Sequence, residues 1–268
     1  ADLEAWLGER GEKPFRARQI LKWLYQKGAA TFAEMSDLSA SLRALLDASF
    51  TIKRLTCTHI APAADGTRKF LFSLADQRRI ESVLIPMEDR LTLCISSQVG
   101  CAMGCRFCAT AQMRPVRDLT MGEVISQIWE VQKSLLPGER LTNLVFMGMG
   151  EALANYDQVV KALSLITTEW GFNISPRRVT VSTVGLVPQM KRLLEETNVN
   201  LTVSLTATTN RLRDDIMPIN RRYPLEQLLD ACRTLSIAPR KRVTFAYTLL
   251  DCVNDSEDDA RRLVRLLH

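Results

Sequence analysis

Apolar residues at helical spacing open the chain. Ala17–Lys27 sets Ile20, Leu21, Leu24 and Tyr25 along one face and stops at Gly28, and Ala40–Ala48 follows Ser39 as an N-cap. With the stretch Asp2–Leu7 they predict a small helical module whose polar faces carry Lys13, Arg16, Arg18, Lys22 and Lys27. Lys69–Leu74 and Arg79–Ile85 are instead β-prone, with turns at Ala64-Asp65-Gly66 and Ala75-Asp76-Gln77. From about residue 91 the strands Leu91–Ser97, Asn143–Met147, Arg178–Thr183, Val199–Leu205 and Arg242–Leu250 alternate with helices. The helices are Met121–Leu135, Asp157–Thr168, Pro188–Glu196, Leu225–Leu235 and a last one from Ser256, and Thr120 and Glu123 are spaced as a capping box. Such alternation predicts an α/β fold with a parallel sheet and right-handed crossovers, open or closed into a barrel. Three parts follow: a helical accessory domain (1–50), a β extension or linker (51–90) and an α/β core (91–268).

Composition narrows the class. Hydrophobic residues make up 46% and charged residues 24%, the balance of an ordinary globular protein rather than a disordered one. Runs such as Leu144–Met147 are too short to span a bilayer and no signal-peptide pattern opens the chain, so no membrane association and a cytoplasmic location are expected. Lys+Arg exceed Asp+Glu by 35 to 30. The excess gathers at Arg177–Arg178, Arg211/Arg213, Arg221–Arg222 and Arg240–Lys241–Arg242, which read either as solvated faces or as contacts to a polyanion. The chain starts at Ala1 in a helical stretch and stops at His268 inside the run Leu263/Leu266/Leu267, a pattern expected of a sequence trimmed at both ends.

Of seven cysteines, three fall within eight residues as Cys101-Ala-Met-Gly-Cys105-Arg-Phe-Cys108. Disulfides are disfavoured in a chain without a secretory signal. The C-x3-C-x2-C spacing lets one tight loop present three thiolates to an iron–sulfur cube and leaves one iron open to a ligand. Structural zinc needs four ligands, usually in two pairs, and neither His59 nor His268 completes such a set. The loop follows the first core strand, where ligands of α/β folds bind.

After the second core strand comes Gly148-Met149-Gly150-Glu151, where glycines admit a ligand to the backbone and a carboxylate can pair with an ammonium group. The alternative is a tight turn with a surface glutamate. Ser182, Ser204 and Thr206 offer hydroxyls at the same rim, or simply cap the loops there.

These motifs carry a resemblance. The cysteine loop with Phe107 before its third thiol, and the glycine–glutamate turn, resemble the radical-SAM superfamily. Gly11-Glu-Lys-Pro-Phe-Arg-Ala-Arg-Gln, Thr92–Cys101, Ala109–Gln112, Met147–Glu151, Arg178–Thr183, Met217–Asn220 and Val253–Asp255 are similar, in order and over essentially the whole chain, to the RlmN/Cfr family of radical-SAM RNA adenine methyltransferases. The resemblance implies a partial (β/α)6 barrel and the cofactors 4Fe-4S cluster and S-adenosyl-L-methionine (SAM). Its RlmN branch methylates C2 of an adenine in 23S rRNA and, in bacteria, of certain tRNAs. In this family one SAM methylates a protein cysteine. A second yields a radical that abstracts hydrogen from that methyl, and the RNA–protein adduct formed is resolved by another cysteine.

By that resemblance Cys101, Cys105 and Cys108 are the cluster ligands, Cys94 the resolving cysteine and Glu81 the proton acceptor. Gly150, Glu151, Ser182, Ser204, Leu205 and Thr206 fall at SAM-contact positions. It further implies a monomer, an electron donor such as flavodoxin or ferredoxin, and phosphate contacts from the basic residues of 10–27 and the arginine clusters. Two departures stand out: Ala152 where the family has proline, and Thr206 where it has a SAM-contacting histidine. The final strand and the methyl-carrying cysteine are expected beyond residue 268, so the 268-residue chain is expected not to complete methyl transfer. The alternatives are the C8-methylating resistance branch, an inactive RNA-binding relative, and a radical-SAM enzyme of unrelated chemistry.

Overall fold

The structure is a computed structural model and describes residues 2–113, 117–235 and 243–268. Three helices come first: α1 (Asp2–Gly8), α2 (Phe15–Tyr25) and α3 (Ala40–Ser49). Ser39 caps α3 by accepting from the Leu42 amide at 3.2 Å. Leu7, Ile20, Phe32, Met35, Leu42 and Leu46 give these helices a core of their own.

Four antiparallel strands follow, β1 (Thr56–Pro62), β2 (Arg68–Ser73), β3 (Arg79–Met87) and β4 (Arg90–Cys94). The segment expected as a β extension or linker is hydrogen-bonded through β4 into the main sheet. Strand β1 escaped the hydrophobic pattern because its residues are mostly exposed, and its pairing with β2 defines it.

A ribbon of β5 (Gln98–Val99) and β6 (Arg117–Asp118) flanks the short helix α4 (Ala109–Gln112). Then come α5 (Met121–Lys133), β7 (Asn143–Phe146), α6 (Tyr156–Thr167), β8 (Val179–Thr183), α7 (Val187–Glu196) and β9 (Asn200–Ser204). The chain ends with α8 (Asn210–Ile216), α9 (Leu225–Thr234), β10 (Val243–Ala246) and α10 (Glu257–Leu267). Both halves of the α5 capping box form: Thr120 Oγ1 accepts from the Glu123 amide and Glu123 accepts from the Thr120 amide.

The sheet order is β1-β2-β3-β4-β7-β8-β9-β10, parallel from β4 onward. Leu144, Val179, Val181, Leu201 and Val203 pack one face against the crossover helices. The expected strand Arg242–Leu250 is shorter. Its start lies outside the described residues, and beyond Ala246 the chain turns aside because the Asn254 side chain takes the Leu250 amide and the carbonyls of Thr248 and Thr206. Helix α8 was not expected, being mostly polar. No helix among the described residues is long and apolar enough to cross a membrane.

The N-terminal helices are latched to this frame. Gln26 donates to the carbonyls of Glu169 and Gly171 at 2.8 and 2.9 Å, and Arg54 reaches Ala29 at 2.6 Å while lying over Trp129.

Candidate active site

The cysteine loop leaves the C-terminal end of β4, where parallel strands direct their following loops outward. Gly104, in the left-handed region at φ 69°, reverses the chain between Cys101 and Cys105. The Arg106 amide donates to Ile216 O at 3.0 Å and its side chain pairs with Asp215 at 2.6 Å, which pins the loop to the end of α8. Cys101 and Cys105 are buried, Cys108 half-buried, and all three are free. They line one cavity of about 280 Å³ with Gly150, Glu151, Ser182 and Ser204.

Burial, and then the neighbouring cysteines, push the Cys105 thiol up to about 12, and burial raises Cys101 as well. Uncoordinated, these groups stay protonated; bound cationic iron favours the thiolates. The donor set is soft sulfur on one side of a cavity, as an iron–sulfur cube requires. Among the described residues, no group of three or more His, Cys, Asp or Glu side chains is gathered closely enough to hold a single metal ion.

The glycine–glutamate turn closes the cavity from β7. Met149 is held through its amide to Ser96 Oγ at 2.9 Å and through its carbonyl by the amides of Ser97 and Gln98. Gly150 sits at φ 100°, and a Cβ there would lie 2.6 Å from Gln98 Cβ, so only glycine fits. Glu151 is not a surface residue. It is 4% exposed, with Oε1 accepting from the Leu153 amide at 3.1 Å and Oε2 from the Val184 amide at 2.9 Å. Burial raises its pKa while the Val184 and Leu153 hydrogen bonds oppose that. A buried carboxylate with neutral partners, facing a cavity, is suited to an ammonium group.

Register unites residues far apart in sequence. Cys94 pairs with Val83 and Val145, Val145 with Thr180, Thr180 with Asn200, and Ser182 with Thr202. Side chains alternate along a strand, so Glu81, Cys94, Ser182 and Ser204 share one sheet face, opposite the helix-packed one. Glu81 lies beside the loop after β4, its carbonyl accepting from Ser96 Oγ at 2.6 Å, and its half-exposed carboxylate pairs with Lys69 at 3.1 Å. Burial pushes the Cys94 thiol up to about 11.

Four residues of the expected set do not line the cavity: Glu81 and Cys94, which share the sheet face of Ser182 and Ser204, and Leu205 and Thr206. Leu205 points to the other face and packs on Leu225 and Leu229. Thr206 is fully buried at φ 55°, with a hydroxyl that has no hydrogen-bond partner, while Asn254 Nδ2 donates to its carbonyl at 2.7 Å.

The basic residues are partly committed elsewhere. Arg18 and Lys22 lie over Trp170 and Lys27 over Trp23. Arg16 is tied to Gln19 and the Asp37 carbonyl. Arg177, Arg178, Arg211, Arg221 and Arg222 are exposed, whereas Arg213 is wholly buried; Arg240–Lys241–Arg242 lies outside the described residues. Reading Arg213 as a surface charge missed its place on the α8 face that also carries Ile216. The supporting side chains Ser96, Gln98 and Gln127 were also missed, since nothing local distinguishes a buried glutamine from an exposed one.

A parallel α/β sheet with three cysteines in the loop after its first parallel strand defines a radical SAM domain. Residues 95–264 match the Radical SAM superfamily, and residues 1–52 match the ribosomal RNA large subunit methyltransferase N-terminal domain. A protein from Geobacter sulfurreducens named dual-specificity RNA methyltransferase RlmN is 54% identical over 99% of this chain and 73% of its own length. Its counterpart of the same name in Geotalea uraniireducens is 52% identical over 99% and 76%. The crystal structure of a radical SAM methyltransferase from Sphaerobacter thermophilus superposes with a TM-score of 0.92 at 43% identity, covering 99% of this chain and 79% of that one. The chain belongs to the RlmN family of radical SAM RNA methyltransferases, and its superfamily implies SAM and a 4Fe-4S cluster.

Proposed function

We propose that this protein methylates C2 of adenine in 23S rRNA and in tRNA, working in the cytoplasm as a monomer with a flavodoxin- or ferredoxin-type electron donor. The observation that carries this reading is the convergence of Cys101, Cys105, Cys108 and buried Glu151 on one cavity, in a chain about half identical to dual-specificity RNA methyltransferases. Cys101, Cys105 and Cys108 would hold the 4Fe-4S cluster. Gly150, Glu151, Ser182 and Ser204 would hold SAM, while Leu205 and Thr206 shape the turn behind Ser204. Together the bound groups supply carbon-radical chemistry, which reaches the electrophilic amidine carbon of adenine where an electrophilic methyl donor does not.

The chain's own residues have distinct tasks. Glu151 orients an ammonium group. Cys94, a thiol rather than a thiolate at neutral pH, awaits a base before it acts as the resolving nucleophile. Glu81, on the same face, accepts a proton. Basic surface residues hold phosphates, and an adenine must leave its stack to reach the cavity, which favours loops over intact duplex.

Anaerobic loading with iron and sulfide should give broad visible absorbance that Cys105→Ala abolishes. Mass spectrometry of 23S rRNA and tRNA methylated by the protein should find the methyl at C2. Methylation at C8, or RNA binding by a protein that takes up no cluster, would overturn the reading.

A further inference from the structure

Among the described residues, Arg213 is the largest side chain that is completely buried. Its guanidinium, on α8, donates through Nε to Leu205 O at 3.1 Å and through Nη1 to Asn220 Oδ1 at 3.1 Å. Nη2 donates to Val184 O at 2.7 Å and Ser204 O at 3.1 Å. Every one of these partners is an uncharged oxygen. The hydrogen bonds engage all three guanidinium nitrogens, but no carboxylate touches the group directly, which makes a buried cation costly. The ionisable groups that reach it through space are Cys105, a thiolate only when it holds iron, and Asp214. Cys105 packs beside Ala207, which precedes α8, and beside Ile216 and Met217 at the end of that helix. The cage is also built where it matters, since Val184 and Ser204 line the cavity.

We propose that Arg213 is a positioning residue that supplies a fixed positive charge behind Cys105, and that this charge favours the reduced state of the cluster. The inference rests on the cluster assignment above. A cluster held by three thiolates carries net negative charge and gains one more on accepting an electron from a low-potential donor. A nearby cation in a low-dielectric cage stabilises the more negative state more strongly. The same cage fixes the β8 and β9 loops, so charge and geometry have to be separated experimentally.

The full chain is loaded anaerobically with iron and sulfide, titrated with dithionite through mediators, and the reduced fraction read by electron paramagnetic resonance. Arg213→Gln should make the cluster at least about tenfold harder to reduce, a potential about 59 mV more negative for one electron. Asn220→Asp sets a carboxylate against Nη1 and beside Asp214 Oδ1, which in the parent accepts from the Asn220 side-chain amide at 2.6 Å. It should shift the equilibrium in the same direction at a pH where both carboxyls are ionised. Arg213→Lys, which keeps the charge and loses the fork, should stay within about threefold of the parent. An unchanged equilibrium in Arg213→Gln and Asn220→Asp overturns the proposal. So does an Arg213→Lys shift as large as that of Arg213→Gln. Where Arg213→Gln holds no cluster, the other two variants decide by the same criteria. Failure of the parent protein to take up iron and sulfide would instead overturn the cluster assignment, and it is read first.

Discussion

Glu151 and Arg213 hold the same residue from its two sides. The Glu151 carboxylate accepts from the Val184 amide at 2.9 Å, and Arg213 donates to the Val184 carbonyl at 2.7 Å. A buried anion and a buried cation thus never touch, yet both fix the loop after β8 that forms one wall of the cavity. Each stays available to a different charged guest.

Glu151→Gln keeps the shape and removes the charge. One amide hydrogen must then face Leu153 or Val184 N–H, so the loop loses an acceptor as well. A hydrogen bond to a charged group is worth about 1.5–3 kcal/mol, so SAM affinity should fall about 10- to 100-fold. Isothermal titration of the cluster-loaded protein measures it, and an unchanged affinity would remove Glu151 from the binding set.

Gly150→Ala should destabilise the fold by about 2–4 kcal/mol, because backbone strain and overpacking against Gln98 add. Gly138, at φ 87° with nothing within 4 Å, provides the control. Gly138→Ala should cost only the backbone term, about 1 kcal/mol. Urea unfolding of the two variants separates sterics from conformation, and equal losses would contradict the account of the turn.

A polar network under the cavity predicts a larger effect than its size suggests. Gln127 Oε1 accepts from Ser82 Oγ and the Ser96 amide, both at 2.8 Å, and its Nε2 donates to Ser96 O at 2.9 Å. It joins β3, the start of the cysteine loop and α5. Gln127→Leu leaves three buried groups unpaired and should cost about 3–5 kcal/mol by denaturant melting, against about 1 kcal/mol for Ser82→Ala.

Alkaline pH should weaken the cluster-free protein. Burial raises Cys94 and Cys232 to about 11 in the folded chain, whereas a cysteine in the unfolded chain titrates near ~8.5. Above that pH the unfolded state releases the protons first, so stability falls as pH rises toward 11. Each thiol contributes about 1.4 kcal/mol per pH unit in that window. Cys232→Ala should flatten the slope in urea melts taken between those values, and an unchanged slope would show that this thiol does not contribute.

Much of the site was legible because its chemistry is local. Cys101, Cys105 and Cys108 lie within one loop, so their spacing points to them, whereas Gly150–Glu151 gained weight only from its place after the second core strand and from the family resemblance. Helices α2, α3 and α5 were legible because their signals are local too: each carries a short-period apolar stripe, and α3 and α5 open on a capping Ser39 and Thr120. What escaped depends on partners distant in the chain. Strand β1 has no apolar face and exists through its pairing with β2. Arg213 looks like its exposed neighbour Arg211 until α8 is packed against Cys105.

The sequence by itself determined the alternation of strands and helices and the three-thiol loop, because each is written in short-range spacing, and it set the acidic turn after the second core strand. Only the tertiary structure decided that Glu151 is buried, that Glu81, Cys94, Ser182 and Ser204 share one face, and that Leu205 turns away from it. Those outcomes hang on strand register, where a slip of one residue exchanges the two faces of the sheet. They hang also on burial, which turns an ordinary carboxylate and an ordinary guanidinium into the two charges that frame the cavity.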